Sequence, residues 1–463
     1  MVLRIFSYYL DASPRFWPTL AHICRRWRHV VFAYFRLYFT HGAPVSKTID
    51  RRLALPIIVQ YGGTPTLDSP TPGDEDNIVA ALKQCDRVRS ISLTVTSSLL
   101  EKLSAIERPF SALEDLVLLS RESPGLALPS AFGSVPRLRS LHLTRIAFFA
   151  LPQLLYSSRE LVDLRLHEVL NPWLLSPQAL RDALSGMPQL QFLSLHFLPT
   201  PVHIGVFLPS RKRIVLPSLA RLHFQGIAKY LEGLVAEIDA PRLGDIEFTF
   251  LNDESITDCS ELSEFIDRIE IHKSHRRAHI ISSERAISIS LIQPGSPTWL
   301  KFRVFCQPLA LQLSTVARIF KFFFSALLSD VEDLRISATR QSSGKDSFDS
   351  GRWLEPLNSF TGVKSFHVAG NLSTDIVRAL QLPDRRSETA SVLPTLHKLY
   401  IPEPVPRHTP LTEIAVSFMT SRRLSGQHIA VEYERFSHLS EPHGTGAMYA
   451  EYSGYRHALT RLE

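Results

Sequence analysis

A six-residue leucine pattern, L-x-x-L-x-L, recurs along most of this chain and restricts its fold more than any other feature. Ten copies are present when Val, Ile or Phe is accepted in place of Leu. They begin at Val88, Leu113, Leu138, Leu161, Leu190, Leu219, Leu243, Val331, Val363 and Leu396. The first seven starts are 25, 25, 23, 29, 29 and 24 residues apart, and the last three are separated by 32 and 33. General leucine abundance explains one such copy, but it does not explain ten with this spacing.

This period is typical of leucine-rich repeats, which are about 20 to 29 residues long. Several copies follow a Pro or Phe, among them Phe110, Pro136 and Pro188, which favours the end of the preceding helix or turn. Each repeat is therefore expected to form a short strand, a loop and a helix. One repeat cannot bury its own leucines, so neighbouring repeats must stack. The sequence predicts an α/β leucine-rich-repeat solenoid, with parallel strands on its concave face and helices and loops outside.

The repeat pattern lapses within residues 252–330, where we expect an irregular insertion. Apolar residues alternate over 287–291 and 300–304, and the Pro-Gly-Ser-Pro segment 294–297 lies between them. This arrangement predicts either a hairpin or a pair of aberrant strands. Helical spacing of the apolar residues from Ile319 to Leu328 predicts the buried face of the next helix.

The repeats are expected to span residues 88–404. Residues 37–87 form the predicted connection and N-terminal edge of the solenoid, with a strand over 53–61. Asp74, Glu75 and Asp76 then favour a helix N-terminus, where negative charge is stabilising. Residues 405–436 form a predicted C-terminal cap, helical at 414–419 and extended at 429–433, and residues 437–463 are expected to be a loose tail.

Composition and charge exclude several classes of function. Of the 463 residues, 44% are hydrophobic and 21% charged, which is typical of a folded protein. No apolar run approaches the roughly 18 residues of a membrane helix, and we find no signal cleavage site. Cytoplasmic or nuclear localisation is expected, with four reduced and mostly buried cysteines. The net charge of +6 is spread thinly, so we expect neither a nucleic-acid nor a membrane partner.

No catalytic motif accompanies the repeats. Phosphate-binding loops, the nucleophile elbow and the HExxH zinc helix are all absent from the sequence. His272, His275 and His279 would share one face of a helix and could hold a metal, but basic neighbours such as Lys273 and Arg277 would repel a cation. We therefore expect a protein that is not an enzyme and has no metal or cofactor.

The residues between the leucines point to a binding surface. On a strand, side chains alternate between two faces, so these residues should point outward together while the leucines point inward. They combine charged, imidazole and aromatic groups on a broad rigid sheet, which suits a protein target better than a small molecule. The predicted target-binding residues are His142, Arg165, Phe192, Arg221, His223, Glu247, Arg335, His367 and Tyr400. The alternative is that these positions are polar only because they face water.

An apolar stripe at the N-terminus is the second informative feature. Leu20, Ile23, Cys24 and Trp27 recur at helical spacing, with basic residues mostly off the stripe. Residues 1–36 supply two short apolar helices, which is too little chain to bury this surface alone. Exposure of such a patch is costly, so another surface must cover it.

The same stripe resembles an F-box. The residues Ile23-Cys24-Arg25-Arg26-Trp27 are similar to its Val/Ile-Cys-Arg-x-Trp ending, and residues 5–8 look like its middle. The combination with leucine-rich repeats is similar to the large F-box families of mushroom-forming fungi. The usual Leu-Pro-x-Glu opening does not precede these residues here, so the F-box is expected to be N-terminally truncated.

This resemblance implies a substrate-recognition adaptor of an SCF-type ubiquitin ligase. The F-box-like segment would dock on a Skp1-like protein, and through it on a cullin complex, while the repeats hold a protein target. The docking residues that the resemblance implies are Leu3, Ile5, Phe6, Leu10, Leu20, Ile23, Cys24 and Trp27. The alternative is a non-ligase leucine-rich-repeat interaction scaffold, in which the F-box remnant only caps the solenoid. Reversing the charge at Arg165 or Glu247 is expected to weaken target binding without unfolding the chain.

Overall fold

The structure is a computed structural model in which two compact units are distinguished, unit 1 (Met1–Val169) and unit 2 (Leu170–Glu463). It describes residues 37–39, 56–61, 72–120, 128–146, 151–169, 175–198, 213–251, 259–269, 275–293, 299–306, 309–324, 327–338, 350–370, 372–381, 392–402 and 409–434.

The described residues of unit 1 form six strands that pair in chain order, all of them parallel. They are β1 (Leu37–Phe39), β2 (Ile57–Tyr61), β3 (Val88–Val95), β4 (Asp115–Ser120), β5 (Ser140–Thr144) and β6 (Asp163–Val169). Burial alternates at the centre of each repeat strand; in β4, Leu116 and Leu118 are fully buried while Asp115 and Val117 are half-buried. The leucines therefore point to one face of the sheet, as the period of two predicts.

The helices of unit 1 are short and present their apolar residues to the core. They are α1 (Pro72–Leu82), α2 (Ser97–Ser104) and α3 (Leu151–Ser157). Thr96 caps α2, because its hydroxyl accepts a hydrogen bond from the amide of Leu99 at 3.1 Å. The buried residues of α2, Leu99, Leu100 and Leu103, recur at the spacing of one helical face.

Glu75 ties α1 to α2. The predicted acidic residues Asp74 and Glu75 lie in the first turn of α1, and both are buried. The Glu75 carboxylate accepts hydrogen bonds from the Thr96 and Ser98 hydroxyls, each at 2.9 Å, and pairs with Lys102 at 3.0 Å. Burial opposes ionisation of Glu75, but these donors outweigh it and lower the pKa of its carboxyl.

Unit 2 has twelve described strands. They are β7 (Phe192–Phe197), β8 (Ile214–Val215), β9 (Arg221–Gly226), β10 (Ile238–Asp239), β11 (Asp245–Phe250), β12 (Arg277–Ser282), β13 (Ala286–Ile292), β14 (Trp299–Phe305), β15 (Asp333–Ala338), β16 (Ser365–Gly370), β17 (Lys398–Pro402) and β18 (Ala430–Glu434). Ten of them form one sheet in the order β7-β9-β11-β14-β13-β12-β15-β16-β17-β18, and β8 pairs with β10 separately. Every pairing in the large sheet is parallel except those of β13, which runs antiparallel to both neighbours.

All ten copies of the leucine pattern form strands, each beginning at or two residues after the first residue of the copy. The first residue of each copy is at most 2% exposed, from Val88 in unit 1 to Leu396 in unit 2. Parallel repeat strands with helices in their connections are the predicted arrangement. The prediction of an α/β leucine-rich-repeat fold is confirmed.

The insertion contributes three strands to the sheet of unit 2. The predicted pair is confirmed as β13 and β14, which run antiparallel from Ala286↔Phe305 to Ile292↔Trp299. The third strand, β12, lies between β13 and β15 and was not predicted. The helix assumed to carry His279 is wrong: Ala278, Ile280 and Ser282 are buried in alternation, so this segment is a strand with His279 on its other face. His275 is buried before β12, and His272 lies outside the described residues.

The helices of unit 2 pack against one another in chain order, with a 3-10 turn at 350–353 beside α8 and α9. They are α4 (Pro177–Leu184), α5 (Ala228–Val235), α6 (Ser260–Arg268), α7 (Leu309–Phe323), α8 (Leu354–Leu357), α9 (Ser373–Ala379) and α10 (Thr409–Leu424). The predicted buried face of α7 is confirmed, because Ile319, Phe320 and Phe323 are at most 3% exposed. The Phe302 ring of β14 lies 5.4 Å from that of Phe323 and 5.1 Å from that of Phe324. Burying each such ring stabilises the insertion by about 1.5–3 kcal/mol.

The remaining structural predictions concern the C-terminal cap, the cysteines, membrane helices and the two ends of the chain. The helix predicted at 414–419 lies within α10, and the strand predicted at 429–433 is β18. Cys85, Cys259 and Cys306 are free buried thiols, as expected. None of the helices in the described ranges is both long and apolar enough to cross a membrane. The predicted helices of 1–36 and the predicted tail of 437–463 lie outside the described residues, and the predicted domain boundaries stay predictions.

Candidate functional site

The face of each sheet opposite the buried leucines is called here the outer face of that unit. Parallel pairing in matched register aligns its side chains in rows across the strands. In unit 1, one row runs through Ser92, Val117, His142 and Arg165. His142 and Arg165, which were predicted to point outward together, are direct cross-strand neighbours in this row.

Arg165 is held by an acidic residue of its own strand. Its Nε and Nη2 donate to the two carboxylate oxygens of Asp163 at 2.9 and 2.8 Å. Residues two apart on a strand share a face, so the aspartate and arginine meet above the sheet. Such a bidentate pair fixes the guanidinium in a defined orientation and neutralises its charge locally.

The His142 side chain lies beside another imidazole and a hydroxyl, in less polar surroundings than its position next to Arg165 would indicate. Its ring centroid is 4.8 Å from that of His167 on β6, in an edge-to-face arrangement, and its Nε2 is 3.2 Å from the Thr144 hydroxyl. Burial, assisted by the positive charge of Arg165, lowers the pKa of His142 to about 4. At neutral pH the imidazole is uncharged and can donate or accept a hydrogen bond.

In unit 2, the corresponding row contains residues that the leucine pattern did not reveal. From β7 to β14 it reads Ser194, His223, Glu247 and Lys301. From β12 to β17 it reads His279, Arg335, His367 and Tyr400. Sequence reasoning missed Lys301 and placed His279 on a helix. The signal was available for Lys301, because it alternates with Leu300 and Phe302 in the predicted strand.

Phe192 is a correction to the predicted surface, because it is only 4% exposed. The Arg221 guanidinium lies over its ring at 4.4 Å from the centroid, and the His223 ring meets it edge to face at 4.9 Å. The Nε2 of His223 is in turn 3.5 Å from the Asp245 carboxylate. Phe192 thus lies beneath Arg221 and His223, whose side chains separate its ring from solvent.

Glu247 is paired with the insertion. Its carboxylate lies 3.1 Å from the Lys301 ammonium on the neighbouring strand, and the side chains are only 14% and 8% exposed. A pair this enclosed costs several kcal/mol in lost hydration, which its mutual attraction must offset. Reversing the charge at Glu247 would put two cations together at this enclosed place, so we expect that change to destabilise the fold. The expectation for Arg165 stays a prediction.

Asp333 is the centre of a charged group on β12, β15 and β16. Its carboxylate accepts from the Nε of Arg277 at 3.1 Å and from the Nε of Arg335 at 3.5 Å, and the Nε2 of His367 is 3.7 Å away. His279, next to Arg335 in the row, places its Nε2 3.3 Å from the Ser337 hydroxyl. These five residues, Arg277, His279, Asp333, Arg335 and His367, are called the Asp333 cluster.

His367 and Tyr400 form one wall beside this cluster. Their rings stack with centroids 4.0 Å apart and planes inclined by 5°. His367 is buried, at 8% exposure, whereas Tyr400 is half-buried. The sequence predicted both as exposed contacts; Tyr400 covers His367, so the phenol and the arginines are the groups a partner would meet.

The docking residues between Leu3 and Trp27 lie outside the described residues. Within the described ranges, no three His, Cys, Asp or Glu side chains form a group that could hold a metal ion.

Comparisons with known proteins return fold-level similarity alone. No protein-family model matches the chain, and no curated protein sequence matches it significantly. Among solved structures, it is similar to the leucine-rich repeat-containing protein LegL7 from Legionella pneumophila, at 13% identity and a TM-score of 0.30, over 78% of this chain and 98% of that one. It is also similar to a leucine-rich-repeat protein of Leptospira interrogans, at 13% identity and a TM-score of 0.31, over 81% of this chain and 89% of that one. The leucine-rich-repeat fold assigned here rests on the strands and their register, independently of these two proteins.

Proposed function

We propose that this protein is a non-enzymatic recognition scaffold that binds a protein target on the outer faces of its repeat sheets. One observation carries the proposal: the two faces of the same strands differ in burial and in polarity. Leu164 and Leu166 are at most 1% exposed, while Arg165 between them is half-exposed and held in place by Asp163. A rigid surface of oriented charged and aromatic groups suits many moderate contacts with a macromolecule.

The finer proposal is a substrate-recognition adaptor of an SCF-type ubiquitin ligase, located in the cytoplasm or nucleus. It is supported by the F-box-like residues at 5–8 and 20–27 and by the leucine-rich repeats that follow them. The N-terminal stripe would bind a Skp1-like protein and through it a cullin complex. The outer faces would hold the target at a fixed place relative to that complex.

A pull-down with a purified Skp1-like protein tests the adaptor role. The double variant Ile23→Ala with Trp27→Ala should abolish binding, because it removes two large apolar side chains from the stripe. The matched control, Arg25→Ala with Arg28→Ala, changes residues mostly off the stripe and should retain binding. Equal binding by the two double variants would contradict the proposed docking face.

The second candidate is a non-ligase interaction scaffold whose F-box remnant caps the solenoid. The apolar stripe favours it, since a cap also needs one buried helical face. Removal of residues 1–32 would then lower the melting temperature, and the full chain would recover no ligase components from a cell extract. Under the adaptor proposal, the full chain recovers those components.

A further inference from the structure

The Asp333 cluster differs from its neighbours on the outer face of unit 2 in how its charges pair. Towards β7, direct contacts pair His223 with Asp245 and Lys301 with Glu247, and Arg303 lies on the same face of β14 as Lys301. At the other end, Lys398 pairs with Glu432 at 3.1 Å. Between them, two arginines share the single carboxylate of Asp333. The cluster therefore carries a net positive charge from its arginines.

The two arginines keep donors available for a partner. A guanidinium has five N–H donors, and Arg277 and Arg335 each use the Nε edge towards Asp333. No further ion pair of either guanidinium occurs within the described part of the chain. Their side chains are 40% and 28% exposed, so the remaining Nη groups are accessible from the outer face.

The neighbours of the cluster on the outer face are mostly small. Ser365 lies beside Asp333 in register, and Ala369 lies on the same face further along β16. Ser337 follows Arg335 on β15, and the Tyr400 ring stacks on that of His367. Two arginines and one phenol are therefore the large donor side chains at this place.

We propose that the Asp333 cluster binds an acidic segment of the protein partner, with an Asp or Glu carboxylate of that segment seated between the Nη groups of Arg277 and Arg335. This inference deepens the proposed recognition role and rests on it. Bidentate hydrogen bonds from a guanidinium match a carboxylate in geometry and charge. The net positive charge of the cluster also attracts an acidic segment before the two come into contact, and this attraction is strongest at low salt.

Fluorescence anisotropy on the full chain tests the proposal with a fluorescein-labelled peptide rich in Asp and Glu. The comparison peptide has Asn and Gln at the same positions. The acidic peptide should bind at least about tenfold more tightly, and its affinity should fall as salt is raised. Equal affinity for the two peptides would overturn the proposal, as would tighter binding of a single-stranded RNA of similar charge.

Variants assign the binding to the cluster. Arg277→Gln with Arg335→Gln should weaken acidic-peptide binding at least about tenfold. Arg277→Glu alone changes the more exposed of the two arginines and should weaken binding similarly. Circular dichroism checks that this variant still folds. The matched control is Arg378→Gln, which removes an exposed arginine that pairs with Asp375 on α9, outside the proposed binding surface, and should leave peptide binding unchanged. A control that weakens binding as much as Arg277→Glu would overturn the assignment.

This experiment can fail separately from the ligase proposal. Peptide binding depends on β12–β16, whereas capture of a Skp1-like protein depends on residues 1–32. Loss of Skp1-like capture with intact peptide binding would remove the adaptor role and keep the acidic-segment site. Intact capture without peptide binding would remove the site and keep the adaptor.

Discussion

The enclosed pair formed by Glu247 and Lys301 leads to a quantitative prediction about unit 2. The perturbation is a double-mutant cycle with Glu247→Gln, Lys301→Met and both together. The two residues lie directly opposite each other on β11 and β14, with their charged atoms 3.1 Å apart. Each single variant leaves one charge on the outer face without its partner, and the double variant removes both charges.

The magnitude follows from the distance and the burial. At an effective dielectric of about 20, two unit charges at this distance attract by roughly 5 kcal/mol, and lost hydration offsets part of that. We expect each single variant to lower the free energy of unfolding by about 2–4 kcal/mol. The double variant should be less destabilised than the sum of the singles, with a coupling of about 2 kcal/mol.

Equilibrium urea unfolding followed by tryptophan fluorescence measures these free energies, and Trp299 lies on the same strand as Lys301. The pair Lys398–Glu432 is the matched control, because it has the same distance of 3.1 Å but side chains 50% and 46% exposed. The same cycle there should give a coupling of about 0.2–1 kcal/mol. If the two couplings agree within error, burial does not strengthen the Glu247–Lys301 pair and the reasoning is refuted.

Three further predictions concern single positions. Because folding lowers the pKa of His142 from 6.5 to about 4, the unfolded chain binds a proton before the folded chain does as pH falls. The stability contributed by the neutral ring is complete above about pH 6.5 and is lost towards pH 4, by up to about 3 kcal/mol. His142→Gln should therefore show a flatter pH dependence in thermal unfolding. Gly370→Ala should lower the free energy of unfolding in urea by about 1–3 kcal/mol more than Gly426→Ala does. Both glycines have positive φ, 86° and 81°, but of the two only Gly370 has a backbone oxygen, that of Ala338, where the added Cβ would lie, at 2.1 Å. Leu164→Ala should cost about 2–5 kcal/mol while Arg165→Ala costs under about 1 kcal/mol; equal losses at these neighbours would contradict the assignment of the two faces.

The strands of the repeats were predictable because their signal is local and repeated. Each copy places leucines at positions that a period of two sends to one face, so Leu116, Leu164 and Leu222 could be assigned to the core without knowing their neighbours. The outward row followed from the same rule. His142 and Arg165 are therefore direct cross-strand neighbours, as their equivalent places in the pattern require.

The contacts of the outer face could not be predicted, since they depend on which strands are adjacent. Lys301 meets Glu247 only because β14, rather than β12, pairs with β11. Phe192 is buried because the side chains of Arg221 and His223 cover it, and nothing in its own strand indicates that. The spacing of His275 and His279 fits a helix, but pairing with β13 and β15 on both sides selects a strand.

The antiparallel insertion has a consequence for how unit 2 assembles. In a regular repeat array each new strand adds to the one made just before it, so growth proceeds step by step along the chain. At β11 this succession is broken, because the next strand in the sheet is β14 and the next in the chain, β12, belongs beside β15. The repeats before and after the insertion can join only after the insertion has turned back on itself twice. Pairing of β14 with β11 and of β12 with β15 is therefore a long-range event, and we expect it to be the slowest step of folding in unit 2.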